Sequence, residues 1–218
     1  MKRIESLHYI TRPLPNGFLM EQIEQVCKLG VRWVQLRIKN VSFDDWVKIA
    51  QEARRITHRW HATLIINDSV QVALACGADG VHLGMTDDSP AQAKQLLGHE
   101  KIIGLSAHNA EEITHMLSYA PDYLSIGPFR KTNTKADLAP VLGLDGIKAL
   151  AVLAQKQEPR LPLIAIGGIR PDDVPALLHC GFKGIAVSSA FRFDGSDEMT
   201  MKKFDMYLSK KLLLAQQD

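Results

Sequence analysis

The chain lacks several features that would assign it to a specialised class of protein. Its 218 residues hold three cysteines at distant positions, which do not form a disulfide framework. No apolar run reaches the roughly 18 residues of a membrane span, and the first residues lack the apolar stretch of a secretory signal. The net charge of +2 is too small to indicate nucleic-acid binding. We therefore expect a cytoplasmic protein with no membrane and no nucleic-acid partner.

The composition is that of an ordinary globular protein, with 46% hydrophobic and 23% charged residues. A chain of this length can bury a full core without disulfides or structural metals. No low-complexity linker divides it. We therefore expect a single catalytic domain over residues 1–218.

One unit recurs along the chain: an amphipathic helix, a glycine, a short apolar strand and a polar loop. Cys27, Cys76 and Cys180 each lie one to three residues before such a glycine, where a helix would end in a left-handed cap. Free cysteines are often buried, so we expect small core residues here rather than nucleophiles.

Eight strands are predicted from this unit, with helices between them. Helical spacing of apolar residues covers 43–60, 109–119 and 171–180, and Asn109 is expected to cap the second of these with Glu112 three residues on. Strands that alternate with helices indicate a parallel sheet, and eight repeats predict an α/β fold, a (β/α)₈ TIM barrel with parallel strands. A doubly wound open sheet is the alternative, but no glycine-rich dinucleotide fingerprint follows the first strand. The strands are expected to begin near Leu7, Val31, Thr63, Gly80, Lys101, Tyr123, Pro162 and Gly184.

Two aspartates follow neighbouring apolar runs. Asp68 closes the run 63–68, and Asp87 follows the run 80–84. If the two strands are parallel neighbours, both carboxylates project into one space, where they repel each other unless a proton or a cation lies between them. Oxygen ligands favour Mg²⁺, which is usually shared with substrate phosphates. The alternative is helix capping, by Asp68 for a helix from Ser69 to Cys76 and by Asp87 or Asp88 for the next one.

Other predicted strands also end in polar residues. Gln35, Arg37 and Lys39 would face one side if the second strand extends that far, and polar groups inside a barrel are costly unless they serve a ligand. The alternative for Lys39 is a solvated loop residue. Ser106 ends the fifth strand and could bind a phosphate oxygen. For His108, beside a helix start, a structural role is favoured over a general base.

Two further segments suit anionic groups. The loop 128–135 holds two hydroxyls and three cations, which could wrap an anion. Gly-Gly after the seventh strand and Ser-Ser at the end of the eighth lie where many barrels bind phosphate through backbone N–H groups. One anion-binding region is then the metal with Lys39, and the other is the Gly-Gly and Ser-Ser pocket. With no obvious nucleophile between them, they suggest that two phosphorylated molecules are joined and one loses diphosphate. The residues concerned are Thr132, Thr134, Lys135, Gly167, Gly168, Ser188 and Ser189.

Taken together, these motifs resemble the thiamine-phosphate synthase family, from Tyr9 to Ala190. That family joins hydroxymethylpyrimidine diphosphate to hydroxyethylthiazole phosphate, which gives thiamine phosphate and diphosphate. The motifs that carry the resemblance are Gln35-Leu36-Arg37-Ile38-Lys39, Ile66-Asn67-Asp68, Gly80-Val81-His82-Leu83-Gly84 with Asp87, and Gly127-Pro128 with Thr132-Asn133-Thr134-Lys135.

The resemblance implies a role for each matching residue. Asp68 and Asp87 would hold Mg²⁺ on the leaving diphosphate, and Lys39, Ser106 and Lys135 would be catalytic. Contacts to the pyrimidine substrate or its diphosphate would come from Gln35, Arg37, Lys39, Asn67, Ser106 and Lys135. The thiazole phosphate would be held by Thr132, Thr134, a glycine of Gly167-Gly168, Ser188 and Ser189.

The chain departs from the family pattern at a few positions, and two alternatives stay open. One is a thiazole tautomerase-like branch, which needs no metal and typically carries a histidine where Pro128 stands. The other is a non-catalytic barrel that binds thiamine-pathway metabolites. A homo-oligomer is also possible. The departures are Ile38, Met85, Thr86, Arg130 and Lys131.

Overall fold

Eight parallel strands form the centre of the molecule. The computed structural model describes residues 2–14, 18–131 and 140–214. Within them the strands close into a barrel in which each pairs with the next and the eighth pairs with the first. The predicted (β/α)₈ barrel is confirmed, and the open-sheet alternative is wrong. The strands are β1 Leu7–Ile10, β2 Trp33–Leu36, β3 Thr63–Asn67, β4 Gly80–Leu83, β5 Ile102–Ala107, β6 Tyr123–Ile126, β7 Leu163–Ile166 and β8 Gly184–Val187.

Helices follow the strands and cover the barrel. Helix α2, Phe43–Arg59, shows why they pack there, since its buried residues Ala50, Ala53 and Ile56 repeat at helical spacing. None of the helices in the described ranges is long and apolar enough to cross a membrane. The others are α1 Leu19–Lys28, α3 Val70–Cys76, α4 Pro90–Leu97, α5 Ala110–Leu117, α6 Gly143–Gln157, α7 Val174–His179 and α8 Asp197–Leu214, with a 3₁₀ turn Pro171–Asp173 before α7.

The start of α5 confirms the predicted cap. The Asn109 side chain accepts the backbone N–H of Glu112 at 2.9 Å. The Glu112 carboxylate reaches back one residue further than a capping box requires, to the His108 N–H at 2.9 Å and to His108 Nδ1 at 2.8 Å. His108 therefore belongs to the structure of this helix start, as expected.

The cysteines are core residues, as predicted. Cys27, Cys76 and Cys180 are free thiols and all three are buried. Burial raises the pKa of the Cys27 thiol to about 12. These sulfurs are protonated at neutral pH and pack as small apolar groups between helices and barrel.

Inside the barrel, four aromatic rings pack against one another. His8 stacks on Trp33 with ring centroids 4.2 Å apart, and the Tyr123 ring meets both of them edge-on at 5.3 and 5.5 Å. The His82 ring stacks on Tyr123. His8 is held by its Nε2, 2.8 Å from the carbonyl oxygen of Glu5. Burial lowers the pKa of His8 to about 3, so this imidazole is neutral in the folded protein.

The buried His8 makes stability depend on pH in a defined window. The unfolded chain takes up a proton on this residue below its ordinary pKa of 6.5, whereas the folded chain stays neutral down to about 3. Stability is therefore lost as the pH falls from 6.5 towards 3. The variant His8→Gln keeps an Nε2 donor but does not titrate. We expect it to reduce the slope of the unfolding free energy against pH by the amount that one proton taken up on unfolding contributes.

The measurement is the free energy of unfolding by urea at several pH values. His58→Gln is the matched control, because His58 is exposed at the end of α2. This control should keep the wild-type slope. An unchanged slope in His8→Gln would contradict the assignment of a buried neutral His8.

Candidate active site

The carboxyl ends of the strands open onto a cavity of about 500 Å³. Most of the residues predicted from the sequence lie on its wall, while Thr132, Thr134 and Lys135 fall outside the described residues. The structure therefore brings the predicted side chains together, and their individual roles stay predictions. Those on the wall are Gln35, Arg37, Lys39, Asn67, Asp68, Asp87, Ser106, Gly167, Gly168, Ser188 and Ser189.

The register of two strands brings Asp68 and Asp87 together. Asn67 on β3 pairs with His82 on β4, and the N–H of Asp68 donates to the carbonyl of His82 at 2.9 Å. The loop after β4 folds back so that Asp87 accepts the N–H of Gly84 at 2.7 Å. Burial and then the neighbouring Asp68 carboxylate raise the pKa of Asp87, against the lowering effect of the Gly84 hydrogen bond. The two carboxylates therefore lie close enough to repel each other.

Lys39 compensates part of this negative charge. Its ammonium group forms an ion pair with Asp68 Oδ2. About half of the Lys39 side chain is exposed, so it spans from solvent to the cavity. Lys39 is thus a half-exposed loop residue that also pairs with Asp68, and its role towards a ligand stays a prediction.

The helix caps differ from those of the capping alternative for the aspartates. Ser69 is the N-cap of α3 and accepts the N–H of Val72 at 3.3 Å, so Asp68 is left for Lys39. Asp88 accepts the N–H of Val70 at 2.8 Å and thereby holds the start of α3. The next helix, α4, begins after Ser89 without a side-chain capping bond. Asp88 therefore caps a helix that precedes it in the chain.

The polar run after β2 reaches the cavity by a different route from the one predicted. The strand ends at Leu36, so strand alternation does not continue to Arg37 and Lys39. Instead, the Thr11 hydroxyl accepts the N–H of Arg37 at 2.9 Å and donates to its carbonyl at 3.2 Å. This side chain takes over from the sheet ladder and keeps the chain beside the end of β1.

A buried amide pair lies at the ends of β2 and β3. Gln35 Nε2 donates to Asn67 Oδ1 at 2.6 Å, and both residues line the cavity. The bond uses one donor of Gln35 and the acceptor of Asn67. An amide oxygen of Gln35 and an amide NH₂ of Asn67 are thus available beside each other for a ligand.

Ser106 is linked to a histidine that the sequence analysis did not single out. Ser106 Oγ lies 2.7 Å from His82 Nε2, and His82 Nδ1 lies 2.8 Å from the hydroxyl of Tyr123. His82 is buried within β4 and lines the cavity. A polar residue in the middle of a four-residue buried strand was the available signal.

Arg12 is a second residue on the cavity wall that was missed. It follows β1, and its Nη2 donates to the carbonyl of Phe191 at 3.1 Å. The buried Nε of Arg12 has no hydrogen-bond partner among the described residues. Its position just after a strand end was the signal, the same one that drew attention to Ser106.

The Gly167-Gly168 segment has a structural reason as well as a chemical one. Both residues have positive φ, +101° and +62°. A β-carbon at Gly167 would lie 2.7 Å from the Cα of Pro128, so the loops after β6 and β7 touch at this point. Nearby, the buried hydroxyl of Ser188 has no hydrogen-bond partner within the described ranges. That orphan hydroxyl is the feature here that a bound anion would satisfy.

Arg130, a departure from the family pattern, anchors the base of the loop after β6. Its guanidinium binds both oxygens of Asp173 at 2.7 and 2.9 Å and donates to the carbonyl of Gly168 at 2.9 Å. Burial alone would raise the pKa of Asp173, but the hydrogen bonds from Arg130 and the Arg170 N–H lower it on balance. This bidentate pair ties the loop to the turn before α7.

Known proteins match both the sequence and the fold. A family model described as thiamine monophosphate synthase matches residues 7–191. A thiamine-phosphate synthase from Bacteroides fragilis is 40% identical over 187 residues, which cover 85% of this chain and 91% of that protein. One from Chloroflexus aurantiacus is 41% identical over 168 residues, 77% of this chain and 75% of that protein.

A solved structure agrees with the sequence matches. Thiamine phosphate pyrophosphorylase from Pyrococcus furiosus superposes with a TM-score of 0.78 at 29% identity, and the match covers 94% of this chain and 96% of that one. The resemblance inferred from the motifs is confirmed, and the tautomerase-like and non-catalytic alternatives are not favoured. The chain belongs to the thiamine monophosphate synthase family.

Proposed function

We propose that the protein, as a thiamine-phosphate synthase, joins a pyrimidine diphosphate and a thiazole phosphate at this cavity, with Mg²⁺ between Asp68 and Asp87. The reaction transfers the pyrimidinylmethyl group to the thiazole nitrogen and releases diphosphate. The observation that carries the proposal is the carboxylate pair beside Lys39 at the strand ends. No protein nucleophile is required, because the thiazole nitrogen itself attacks.

The residues present fit Mg²⁺. Burial and then the neighbouring Asp68 carboxylate raise the pKa of Asp87, and Lys39 binds only Asp68, so the pair offers carboxylate oxygens to a cation. Mg²⁺ is commonly held by one or two protein carboxylates together with substrate phosphates and water. The described residues contain no group of three or more His, Cys, Asp or Glu side chains that would make an all-protein cage. When bound, the ion would neutralise charge on the leaving diphosphate.

The amide pair supplies recognition of the pyrimidine. A 4-aminopyrimidine offers an amino donor beside a ring nitrogen acceptor. The oxygen of Gln35 and the NH₂ of Asn67 are the complementary acceptor and donor, and their mutual bond fixes them side by side. This pairing would orient the ring so that its methylene faces the centre of the cavity.

The positive groups on the wall serve the departing diphosphate. Arg37 and Lys39 both line the cavity, and Ser106 adds a hydroxyl. As the C–O bond breaks, negative charge grows on the diphosphate, and preorganised donors aimed at that charge lower the barrier. Lys39, Ser106 and Lys135 are the proposed catalytic residues.

The opposite wall suits the phosphate that stays on the product. Ser188 has the orphan hydroxyl there, Ser189 follows it, and Gly167-Gly168 lets the backbone come close. Thr132 and Thr134 are proposed to complete this pocket.

The proposal also covers the extent of the domain, the cellular location and the oligomeric state. We propose one catalytic domain over residues 1–218, because strands from residue 7 to residue 187 share one barrel. A cytoplasmic location suits three buried free thiols. A homo-oligomer is left as a prediction.

The proposed reaction has a direct assay. Purified protein incubated with both substrates and Mg²⁺ should form thiamine phosphate and diphosphate in equal amounts, and a chelator should stop the reaction. Asp87→Asn should lower kcat by about 100-fold or more, with little change in thiazole-phosphate affinity, since it removes charge stabilisation from the leaving group only. Folded protein that yields no product, or equal losses of kcat and affinity, would contradict the proposal.

Metal binding can be tested without turnover. Burial and the Asp68 carboxylate raise the folded-state pKa of Asp87, so ionised Asp87 destabilises the fold at neutral pH. A bound cation would stabilise the ionised carboxylate. With inorganic diphosphate present, Mg²⁺ at ten times its Kd should raise the Tm by about 4 °C. Asp87→Asn keeps an acceptor for the Gly84 N–H, so its Tm without Mg²⁺ should be equal to or above that of wild type. The Mg²⁺-induced rise should disappear.

The matched control is Asp88→Asn, the same change one residue along. The Asp88 carboxylate holds the start of α3 and is not part of the cavity wall, so this variant should lose a little stability and keep the Mg²⁺ response. A Mg²⁺ response that survives in Asp87→Asn, or is lost in Asp88→Asn, would place the ion elsewhere.

A further inference from the structure

We propose that Tyr123, acting through His82, fixes the direction of the Ser106 hydroxyl so that it donates a hydrogen bond into the cavity. Tyr123 and His82 are positioning residues in this account. The inference rests on the proposed function, in which Ser106 meets the diphosphate. It is carried by the chain of short contacts from Tyr123 Oη to His82 Nδ1 and from His82 Nε2 to Ser106 Oγ, at 2.8 and 2.7 Å.

A missing side chain makes the contact between His82 and Tyr123 possible. His82 on β4, Gly104 on β5 and Tyr123 on β6 are register partners across three neighbouring strands. A β-carbon at Gly104 would overlap the Tyr123 ring. Because Gly104 leaves that space open, side chains from strands on either side of β5 meet across it.

The Tyr123 ring is fixed in place from several sides. His8 and Trp33 contact it edge-on, and His82 stacks on it with ring centroids 5.4 Å apart. Tyr123 is fully buried, and burial raises the pKa of its hydroxyl well above the ordinary value of 10, so the group keeps its proton. The hydroxyl is a permanently protonated donor at a fixed position.

The positions of the protons then set which group donates in each of these two hydrogen bonds. Within the described residues, the Tyr123 hydroxyl has one hydrogen-bond partner, His82 Nδ1. A buried O–H that found no acceptor would be costly, so Tyr123 donates and Nδ1 accepts. A neutral imidazole that accepts at Nδ1 carries its proton on Nε2. Nε2–H therefore donates to Ser106 Oγ.

The consequence for Ser106 is that its hydroxyl hydrogen is not used in the bond to His82. Its oxygen accepts from His82, so its own O–H can point into the cavity, where Ser106 is on the wall. A diphosphate has only acceptor oxygens and needs donors. The opposite tautomer would turn the Ser106 proton towards His82 and present a lone pair to the anion. The Tyr123 hydroxyl, which does not contact Ser106, thus sets Ser106 as a hydrogen-bond donor to the cavity through His82.

The tautomer can be read directly by ¹⁵N NMR of the histidine-labelled protein, with His82 assigned by its loss in His82→Gln. We expect the Nε2-protonated form with Nδ1 as acceptor. An Nδ1-protonated form or a doubly protonated ring would overturn the proposal. This readout needs no substrate, so it stands or falls separately from the proposed reaction.

Kinetics test the effect on Ser106. Tyr123→Phe keeps the ring and removes only the donor, and it should lower kcat about 10- to 100-fold, as is typical for partners that orient a functional group, while KM changes by less than about 2-fold. In a Ser106→Ala background the same change should have no further effect on kcat. A structural role would instead lower kcat by the same factor in both backgrounds, and that result would overturn the proposal.

Two further variants complete the set. Tyr119→Phe removes a hydroxyl in the turn just after α5, away from the cavity wall, and should leave kcat and KM unchanged. His82→Gln supplies an acceptor oxygen and a donor NH₂, so it should keep more of the wild-type kcat than His82→Leu. Equal activity of these two His82 variants would count against the relay. If wild type makes no thiamine phosphate, the proposed function fails, and the NMR result still decides the tautomer.

Discussion

Repulsion between two carboxylates at the ends of neighbouring parallel strands is the constraint around which this site is organised. The register of β3 against β4 brings Asp68 and Asp87 together, and other contacts hold both side chains there. Asp68 is held beside Lys39, and Asp87 is held by the N–H of Gly84. Burial and then the Asp68 carboxylate raise the pKa of Asp87. We propose that a cation and an anionic ligand relieve this repulsion together, which favours a diphosphate with Mg²⁺ over a neutral substrate.

Much of the fold follows from the sequence because the repeating unit is local. Each helix, glycine and strand is encoded within a short window, so the barrel and the approximate positions of its strands could be predicted. The cavity wall followed from these, since the carboxyl ends of the strands meet at one face of the barrel. What could not be predicted are contacts between distant segments. Thr11 holds Arg37 by its backbone, and Asp88 reaches back to α3. No periodicity reports such contacts.

Glycines illustrate the same limit. Gly167 and Gly168 suggested phosphate binding, yet positive φ and the close approach of the loop after β6 also demand glycine there. Gly104 drew no attention in the sequence, although its missing side chain lets His82 meet Tyr123 across β5. A glycine in a sequence says that space or backbone freedom is needed, and only the structure says by what. The barrel interior and the site are linked through such a gap.

The central claim is that one divalent cation is held by Asp68 and Asp87 together. Anomalous diffraction from crystals soaked with Mn²⁺ and inorganic diphosphate tests it most directly, because Mn²⁺ accepts the same oxygen ligands as Mg²⁺. The account predicts an anomalous peak bonded to a carboxylate oxygen of each aspartate and to a diphosphate oxygen. A peak that contacts neither aspartate, or diphosphate bound with no metal peak beside it, would contradict the account.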